Sequence, residues 1–171
     1  MQLSGVGYLS LAEVRLLDSG SGSWDLAKGK AATQSSTLSG TSAGASLAVN
    51  GDIDGNFYHG SVTHTDRDNE PWWQVDLGFS VPVDTIVISN RTDCCGFRLS
   101  DYYIFVSNTP FSPTDTIETL LGRVPSFHQT TAPDPSVALS LTAFGRYVRI
   151  QVPGRTYLSL AEVQVSGRPV P

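Results

Sequence analysis

The sequence predicts an all-β domain, and its composition and patterning both support this prediction. Its 171 residues include 16 Gly and 10 Pro, and only 16% of them are charged. Short runs rich in Val, Ile, Thr and aromatic residues alternate with clusters of Pro, Gly, Asn, Asp and Ser, a pattern typical of strands joined by turns. At this length we expect one domain with a sizeable core. A β-sandwich or β-barrel fits these features best.

Six runs are candidate strands because β-branched and aromatic residues are concentrated in them. They cover residues 72–77, 83–89, 102–107, 137–141, 146–152 and 158–165. The adjacent pair Trp72 and Trp73 opens the first run and could offer a surface on which a ligand stacks. Because the run continues as a strand through Asp76 and Leu77, we expect at least one of the two rings to pack in the core.

A short internal repeat suggests the domain organisation. The segment YLSLAEV begins at Tyr8 and recurs from Tyr157, with seven identical residues in order. The offset, 157 − 8 = 149, is about the length of one domain, and repeats at that spacing mark tandem modules. We therefore predict that residues 1–17 are the last strand of a preceding, similar module, that residues 18–25 are a flexible linker, and that residues 26–171 form the domain itself.

Charge and hydropathy argue against two classes of partner. A net charge of −5 disfavours binding to nucleic acid, which needs a basic surface. The sequence has no apolar run of 18 residues, the length expected of a membrane-spanning helix, so we expect no membrane insertion. No secretory signal peptide is visible after Met1.

The most distinctive segment is NRTDCCGFR, residues 90–98, which follows a candidate strand. Loops that leave strands often carry binding sites. This one contains both cysteines of the chain, Cys94 and Cys95, flanked by Arg91 and Arg98. Neighbouring Cα atoms lie about 3.8 Å apart, closer than in most disulfides. The residues alone leave two possibilities: free thiols, or a vicinal disulfide that presents a flat apolar sulfur surface to a small, hydroxyl-rich ligand.

Four segments resemble the F-type lectins, the fucose-binding family of the eel agglutinins. They are residues 56–61, 71–77, 91–98 and 145–148, and the resemblance extends over residues 26–166. In that family a His is followed by an Arg 27 positions later, then by an Asp at plus two and a basic residue at plus seven from that Arg. His64, Arg91, Asp93 and Arg98 match this spacing. The resemblance implies a discoidin-like jelly-roll β-barrel or sandwich, and a non-enzymatic domain that binds terminal α-L-fucose on glycans.

The resemblance also implies roles for individual residues. We expect His64, Arg91 and Arg98 to donate hydrogen bonds to the axial hydroxyl, a neighbouring hydroxyl and the ring oxygen of the sugar. Arginine suits this task because its guanidinium offers five N–H donors in a fixed fork. Asp93 would brace an arginine. An apolar set would cover the sugar's ring face and its C6 methyl group: Leu38, Phe57, Tyr58, Cys94 and Cys95. We predict that the two cysteines form a disulfide.

Residues 50–56, NGDIDGN, resemble a cation-binding loop, because hard oxygen ligands at alternate positions suit Ca²⁺. The loop is not an EF-hand, since no Glu follows at the twelfth position. The resemblance implies a structural Ca²⁺ held by the Leu47 and Ala161 carbonyls and by the side chains of Asn50, Asp52, Ser61 and Glu162. The alternative is that Asn-Gly and Asp-Gly merely build turns.

The expected partners are fucosylated glycans, including blood-group-type oligosaccharides. We also expect a secreted or cell-surface protein that is a homo-oligomer or a tandem module of a larger chain. The alternative function is a discoidin-like domain that binds a membrane or protein surface. That alternative predicts exposed Trp or Leu side chains at loop tips and no role for His64.

Overall fold

The computed structural model describes residues 25–167, and the predictions made for residues 1–24 lie outside them. Eight strands and one short helix occur in this part of the chain. The strands are β1 (Ala31–Gln34), β2 (Asp68–Asn69), β3 (Trp72–Ser89), β4 (Tyr102–Ser107), β5 (Ser126–Gln129), β6 (Ser136–Gln151), β7 (Arg155–Thr156) and β8 (Glu162–Ser166), and the helix is α1 (Ile117–Leu120). Single 3₁₀ turns cover Ala45–Val49, Phe57–His59 and Gly96–Leu99.

Six strands form one antiparallel sheet in the order β1-β3-β6-β4-β5, with β8 also paired to β3, while β2 and β7 pair separately. The long strands β3 and β6 run side by side, and their register shifts between Asp76 and Val81 and again between Val83 and Thr85. Such irregularities bend paired strands, so the two long strands curve around the core. The structure is all-β, as predicted.

The predicted strands are present, but several of their ends differ. β4 has the predicted bounds, whereas the runs at 72–77 and 83–89 belong to one strand, β3. The runs at 137–141 and 146–152 likewise belong to β6. Gly145 does not interrupt β6 because its backbone packs closely on β4: a Cβ there would lie 2.7 Å from Val106 Cγ1.

The last predicted strand begins four residues late, at Glu162 rather than at 158. Residues 158–160 instead pair with a neighbouring loop. The N–H groups of Leu158 and Leu160 donate to the hydroxyls of Thr65 and Thr63, at 2.9 and 3.0 Å. The backbone N–H groups of the same threonines donate to the Leu158 and Leu160 carbonyls. Hydrogen bonds to threonine hydroxyls therefore replace part of the backbone ladder between these two segments. The hydrophobic periodicity of the sequence cannot reveal such a replacement.

The core lies along β3, β4 and β6 and is closed by the chain that leads into β8. Its largest fully buried apolar side chains include Trp73, Leu77, Ile86, Ile88, Ile104, Ile150 and Leu160. The Trp73 indole N–H donates to the Ala45 carbonyl at 2.9 Å. Trp72 is buried as well, so the expectation that at least one of the pair packs in the core is confirmed for both.

The end of β3 is where the candidate site is assembled. Ser89 pairs with Glu162 of β8, and the Ala161 N–H donates to the Ser89 carbonyl at 2.9 Å. The loop of residues 90–98 therefore leaves β3 beside the start of β8. Because residues 63–65 pair with 158–160, His64 is brought to the same end of the domain.

Candidate functional site: a cationic and aromatic cleft beside a vicinal disulfide

Asn90 fixes the loop of residues 90–98 at the end of β3. Its Oδ1 accepts the Arg91 N–H at 2.8 Å, and its Nδ2 donates to the carbonyls of Gly96 and Pro133, both at 3.0 Å. Gly96 has little room for a side chain, since a Cβ there would lie 3.0 Å from the Arg91 carbonyl oxygen. The two ends of the loop are thus held together.

Asp93 holds Arg91 in one orientation. The Arg91 Nε and Nη2 donate to its two carboxylate oxygens at 2.9 and 2.8 Å, a bidentate arrangement that fixes the guanidinium plane. Only 8% of the Arg91 side chain and 12% of the Asp93 side chain are exposed. The Arg91 hydrogen bonds lower the pKa of Asp93 from 3.8 to about 2, against the opposing effect of burial. Two of the five N–H donors of Arg91 are used in this pair, which leaves others for a ligand.

A second loop, which contains Gly55 and Phe57, docks on the first through backbone contacts. The Thr92 N–H donates to the Gly55 carbonyl at 2.8 Å, and the Phe57 N–H donates to Asp93 Oδ1 at 2.9 Å. The approach is close: a Cβ on Gly55 would lie 2.6 Å from Thr92 Cγ2. The docking sets the Phe57 ring against the Arg91 guanidinium, 4.5 Å from the ring centroid, in a cation–π contact.

His64 is buried, and its ring lies edge to face with Phe57 and with Tyr157, at centroid distances of 5.4 Å from each. Its Nδ1 donates to the Thr65 carbonyl at 2.7 Å, since a carbonyl can only accept. Burial lowers the pKa of His64 below 6.5, and two nearby arginines act in the same direction while the Thr65 hydrogen bond opposes them. In the neutral ring Nε2 is then an acceptor. This geometry favours an acceptor role for His64 Nε2 over the expected donor role.

Tyr157 is a site residue that the sequence analysis missed. The Arg98 guanidinium lies over its ring, 4.7 Å from the centroid. The internal repeat could have pointed to this residue, since both copies begin with Tyr. The contacts now form a continuous series, which we call the binding arc: Arg91, Phe57, His64, Tyr157 and Arg98. It places one cation at each end and aromatic rings between them.

The structure joins Cys94 and Cys95 in a disulfide, with their Cα atoms 3.8 Å apart. Cys95 adopts a left-handed backbone conformation, with φ of 63°, at the start of the 3₁₀ turn that carries Arg98. Such a conformation is uncommon for a residue with a side chain. The disulfide lies in the loop between the two arginines of the binding arc, so an apolar sulfur surface accompanies the two cations.

Comparison with known proteins shows which family this chain belongs to. A family profile described as a NedA-like, galactose-binding domain matches residues 47–150. Fucolectin of Anguilla anguilla is 38% identical over 149 residues, which cover 81% of this chain and 87% of that protein. The chain belongs to the F-type lectin family. Fucolectin-3 of Anguilla japonica gives a similar match, 38% identical over 146 residues that cover 79% of this chain and 74% of the relative.

Solved structures share the fold of this F-type lectin. A fucose-binding module of Streptococcus pneumoniae matches with a TM-score of 0.73 and 32% identity, covering 87% of this chain and 99% of its own. The lectin domain of lectinolysin, solved with Lewis B antigen, matches with a TM-score of 0.71 and 33% identity, covering 85% and 97%. The fucolectin from striped bass (Morone saxatilis) serum matches with a TM-score of 0.73 and 34% identity, covering 84% of this chain and 48% of its own. The family and fold predicted from the sequence are confirmed.

Tyr58 and Leu38, the remaining predicted sugar contacts of the lectin, lie beside the binding arc. The Tyr58 side chain is 83% exposed and meets Phe57 edge to face at 5.8 Å. It is therefore a rim residue rather than a core aromatic. Leu38 is half-buried, and its N–H donates to the His64 carbonyl at 2.8 Å.

Glu162 is a fully buried carboxylate that reaches the predicted cation loop of the lectin. Its Oε1 accepts the Gly51 N–H at 2.9 Å, whereas its buried Oε2 has no hydrogen-bond partner in the described structure. Burial raises the pKa of Glu162 to about 7. An unpartnered buried carboxylate oxygen is unfavourable unless a cation or donor satisfies it, so the residues present are compatible with a bound cation.

The other side chains of the predicted cation site support each other through turns. The Asn50 Oδ1 accepts the Asp52 N–H at 2.7 Å, the Asp52 Oδ1 accepts the Asp54 N–H at 3.0 Å, and the buried Ser61 hydroxyl donates to the Asp54 carbonyl. Among residues 25–167, no three His, Cys, Asp or Glu side chains gather as a metal cluster. A cation here would depend on the carboxylates of Asp52 and Glu162 and on neutral oxygens.

The apolar surface of the lectin bears on the alternative of a membrane-binding or protein-binding domain. Both tryptophans in residues 25–167 are buried, and the exposed large apolar side chains in that range are Ile53, Tyr58, Phe79, Phe97, Leu121 and Phe144. The exposed Trp tips that the alternative predicts do not occur in this range, although Leu121 is exposed. Over the same residues, no helix has the length and apolar character needed to cross a membrane.

Proposed function

We propose that this F-type lectin binds terminal α-L-fucose in the space bounded by the binding arc and the Cys94–Cys95 disulfide. The observation that carries the proposal is the convergence of Arg91, Arg98 and a neutral His64 beside an apolar sulfur and Phe57 surface. Its relatives are named fucolectins and fucose-binding modules, which are sugar-binding proteins without catalysis. The proposed role is accordingly recognition rather than chemistry.

Each polar group of the arc has a distinct task in the proposed complex. The guanidinium groups of Arg91 and Arg98 donate to hydroxyl and ring oxygens of the sugar, as charged donors that form strong hydrogen bonds. His64 Nε2 accepts the proton of one hydroxyl, because Nδ1 is held as the donor to Thr65. Sugar hydroxyls both donate and accept, so a site with donors and one acceptor can select the position of a particular hydroxyl.

The apolar groups account for selectivity at C6 of the sugar. Burying one methyl group contributes about 0.8 kcal/mol. A hydroxymethyl group in the same place would bury a hydroxyl without a partner, at a cost of about 1–3 kcal/mol. L-Galactose differs from L-fucose only by that hydroxyl, so it is the matched control ligand.

Titration calorimetry with free sugars tests the proposal. L-Fucose should bind with a Kd between about 1 μM and 1 mM, which corresponds to roughly −8 to −4 kcal/mol. L-Galactose should bind about tenfold more weakly or worse, from the two contributions at C6. If the protein shows no binding even when the L-fucose concentration is well above 1 mM, about the upper end of the expected Kd range, the proposal is wrong. Equal affinity for the two sugars would overturn the account of C6.

The next sugar of a fucosylated glycan has a cleft beside the arc. This cleft, of about 270 Å³, is lined by Thr41, Ser42, Leu47, Phe57 and Tyr58, among others. We assign it to the second residue of blood-group-type oligosaccharides, with the exposed Tyr58 ring as one wall. Replacing Tyr58 with Ala should weaken binding of a fucosylated trisaccharide while free L-fucose binds as before. Equal losses for both ligands would place Tyr58 in the fucose site itself.

A structural Ca²⁺ is proposed for the loop that Glu162 reaches. Carboxylate, amide and carbonyl oxygens are the ligands that Ca²⁺ prefers. The ligand set would be the side chains of Asn50, Asp52, Ser61 and Glu162 and the carbonyls of Leu47 and Ala161. Within the protein, Glu162 already ties β8 to the loop through Gly51, and the ion would neutralise the buried charge there. Its effect on the sugar would be indirect, through the position of Phe57.

Weak binding of one sugar makes multivalency important, because linked sites gain avidity without new contacts. The repeated YLSLAEV segment supports a tandem arrangement with a preceding similar module, and a homo-oligomer is the alternative. Light scattering of the 171-residue chain separates the two, since a monomer favours the tandem arrangement. A disulfide of this kind persists in oxidising compartments, which supports a secreted or cell-surface location.

A further inference from the structure

A small cavity adjoins the binding arc at Arg98 and Tyr157. Its walls include Asn90, Cys95, Arg98, Tyr157 and Ser159. The volume, about 10 Å³ for the centre of a water molecule, is close to the smallest that can hold one water. A cavity of this size stays dry when its walls are apolar and is hydrated when several polar groups face it.

Two polar side chains on these walls, Ser159 and Arg98, lack a hydrogen-bond partner among residues 25–167. The Ser159 Oγ is shielded from solvent and has no hydrogen-bond partner in the described structure. The Arg98 guanidinium is held among residues 25–167 only by the face of Tyr157. Arg91, by contrast, has a bidentate carboxylate as well as a ring. The two arginines of the arc are thus oriented in different ways, and a second support for Arg98 is missing.

Asn90, another polar side chain of the cavity, is already satisfied. Asn90 donates both Nδ2 hydrogens, to Gly96 and Pro133, and accepts the Arg91 N–H on Oδ1. A molecule in the cavity would therefore find hydrogen-bonding capacity on Ser159 and Arg98 rather than on Asn90. An unpaired buried hydroxyl is costly, and one water that accepts from Arg98 and bonds the Ser159 hydroxyl would satisfy it.

We propose that a buried water occupies this cavity and that Ser159, acting through it, is a positioning residue for Arg98. The effect on L-fucose affinity rests on the proposed fucose binding. The presence of the water in the cavity does not depend on that function. Ser159 lies on the segment between Tyr157 and β8, so the same segment supplies both supports of Arg98. Loss of the Ser159 hydroxyl would leave Arg98 held by the ring alone, with a wider range of orientations.

A double-mutant cycle tests the positioning role. Ser159→Ala should weaken L-fucose binding about threefold to tenfold. The same change in an Arg98→Ala background should cause little further loss, whereas in an Arg91→Ala background its full effect should persist. Ser166→Ala, at the end of β8 and outside the walls of the cavity, is the matched control and should leave affinity unchanged. An equal loss in the Arg98→Ala and Arg91→Ala backgrounds would overturn the role of Ser159.

A second readout does not depend on sugar binding. A high-resolution crystal structure of the wild-type protein should show one water within hydrogen-bond distance of the Ser159 Oγ and an Arg98 nitrogen. An empty cavity, or a water that contacts neither group, would overturn the inference. If the wild-type protein fails to bind L-fucose but contains this water, the proposed function is wrong while the structural part of the inference stands.

Discussion

Replacing Asp93 with Asn isolates the contribution of the brace on Arg91. The change keeps the size of the side chain but removes its charge and exchanges one acceptor oxygen for an NH₂ donor. In the wild-type protein the carboxylate accepts Arg91 Nε at 2.9 Å, Arg91 Nη2 at 2.8 Å and the Phe57 N–H at 2.9 Å. The variant can satisfy only part of this set, and its NH₂ group would face the guanidinium.

The size of the effect follows from the hydrogen bond that is lost. A hydrogen bond involving a charged group contributes about 1.5–3 kcal/mol, and this pair is largely shielded from solvent. Each 1.4 kcal/mol is a factor of ten in affinity, so L-fucose should bind about 10-fold to 100-fold more weakly to Asp93→Asn. Titration calorimetry at neutral pH measures the change.

The first half of β3 provides a matched control for Asp93, which follows the end of that strand. Asp76 also forms a bidentate pair, with Arg146 at 2.6 and 2.7 Å, but it has no contact with the arc. Asp76→Asn should leave L-fucose affinity unchanged. If Asp93→Asn binds L-fucose as tightly as the wild type, or if Asp76→Asn weakens binding to the same extent, the assignment of Asp93 as the brace is wrong.

The pKa of Asp93 adds a pH signature to the same variant. Its folded value, about 2, is below the ordinary value of 3.8, so the pair stabilises the fold above pH 3.8 and this contribution is lost as the pH falls towards 2. The free energy of unfolding should therefore fall less steeply across that window in Asp93→Asn than in the wild type. Identical pH profiles would show that the pair does not couple to folding.

Four further predictions concern the surroundings of the arc. Reducing the Cys94–Cys95 disulfide should weaken L-fucose binding and leave the melting temperature nearly unchanged, because the bond links neighbours and closes no long loop; a large fall in melting temperature would contradict this. Chelation of Ca²⁺ should lower the melting temperature first and L-fucose affinity second, since a ligand at a hundredfold excess over its Kd stabilises the folded protein by about 2.7 kcal/mol. Glu162→Gln should have the same effect. A melting temperature that chelation leaves unchanged would refute the proposed cation. Gly55→Ala should weaken L-fucose binding because its Cβ would lie 2.6 Å from the Asn90 carbonyl oxygen, whereas Gly44→Ala, where no atom lies within 4 Å, should not. The lowered pKa of His64 should move the acidic loss of L-fucose affinity to a lower pH than an ordinary histidine would give, because protonation removes the Nε2 acceptor. A midpoint of the loss above pH 6.5 would count against this role.

The all-β class and the cationic loop follow from local features of the sequence. The β-branched runs mark β3, β4 and β6, and the spacing of His64, Arg91 and Arg98 matches a known family. The strand ends were harder to predict, because bulges carry β3 past Gly78 and β6 past Gly145 without interrupting the ladder. Gly weakens a strand interior and often marks a bulge, and only the partner strand shows that the ladder continues beyond these two glycines.

Two features of the site depend on contacts that no local pattern reveals. Tyr157 joins the arc because residues 63–65 pair with 158–160, about a hundred positions along the chain. The acceptor role of His64 is fixed by the Thr65 carbonyl, a backbone group whose direction the sequence does not specify. In both cases the residue type was visible in the sequence, and its partner became apparent only in the folded chain.

A crystal structure of the protein with L-fucose tests the central claim most directly. The sugar should lie within the binding arc, with oxygens within hydrogen-bond distance of Arg91, Arg98 and His64 Nε2. Its C6 methyl group and ring face should lie against Phe57 and the disulfide. Fucose bound elsewhere on the domain, or with its oxygens on a metal ion instead of these three side chains, would contradict the account.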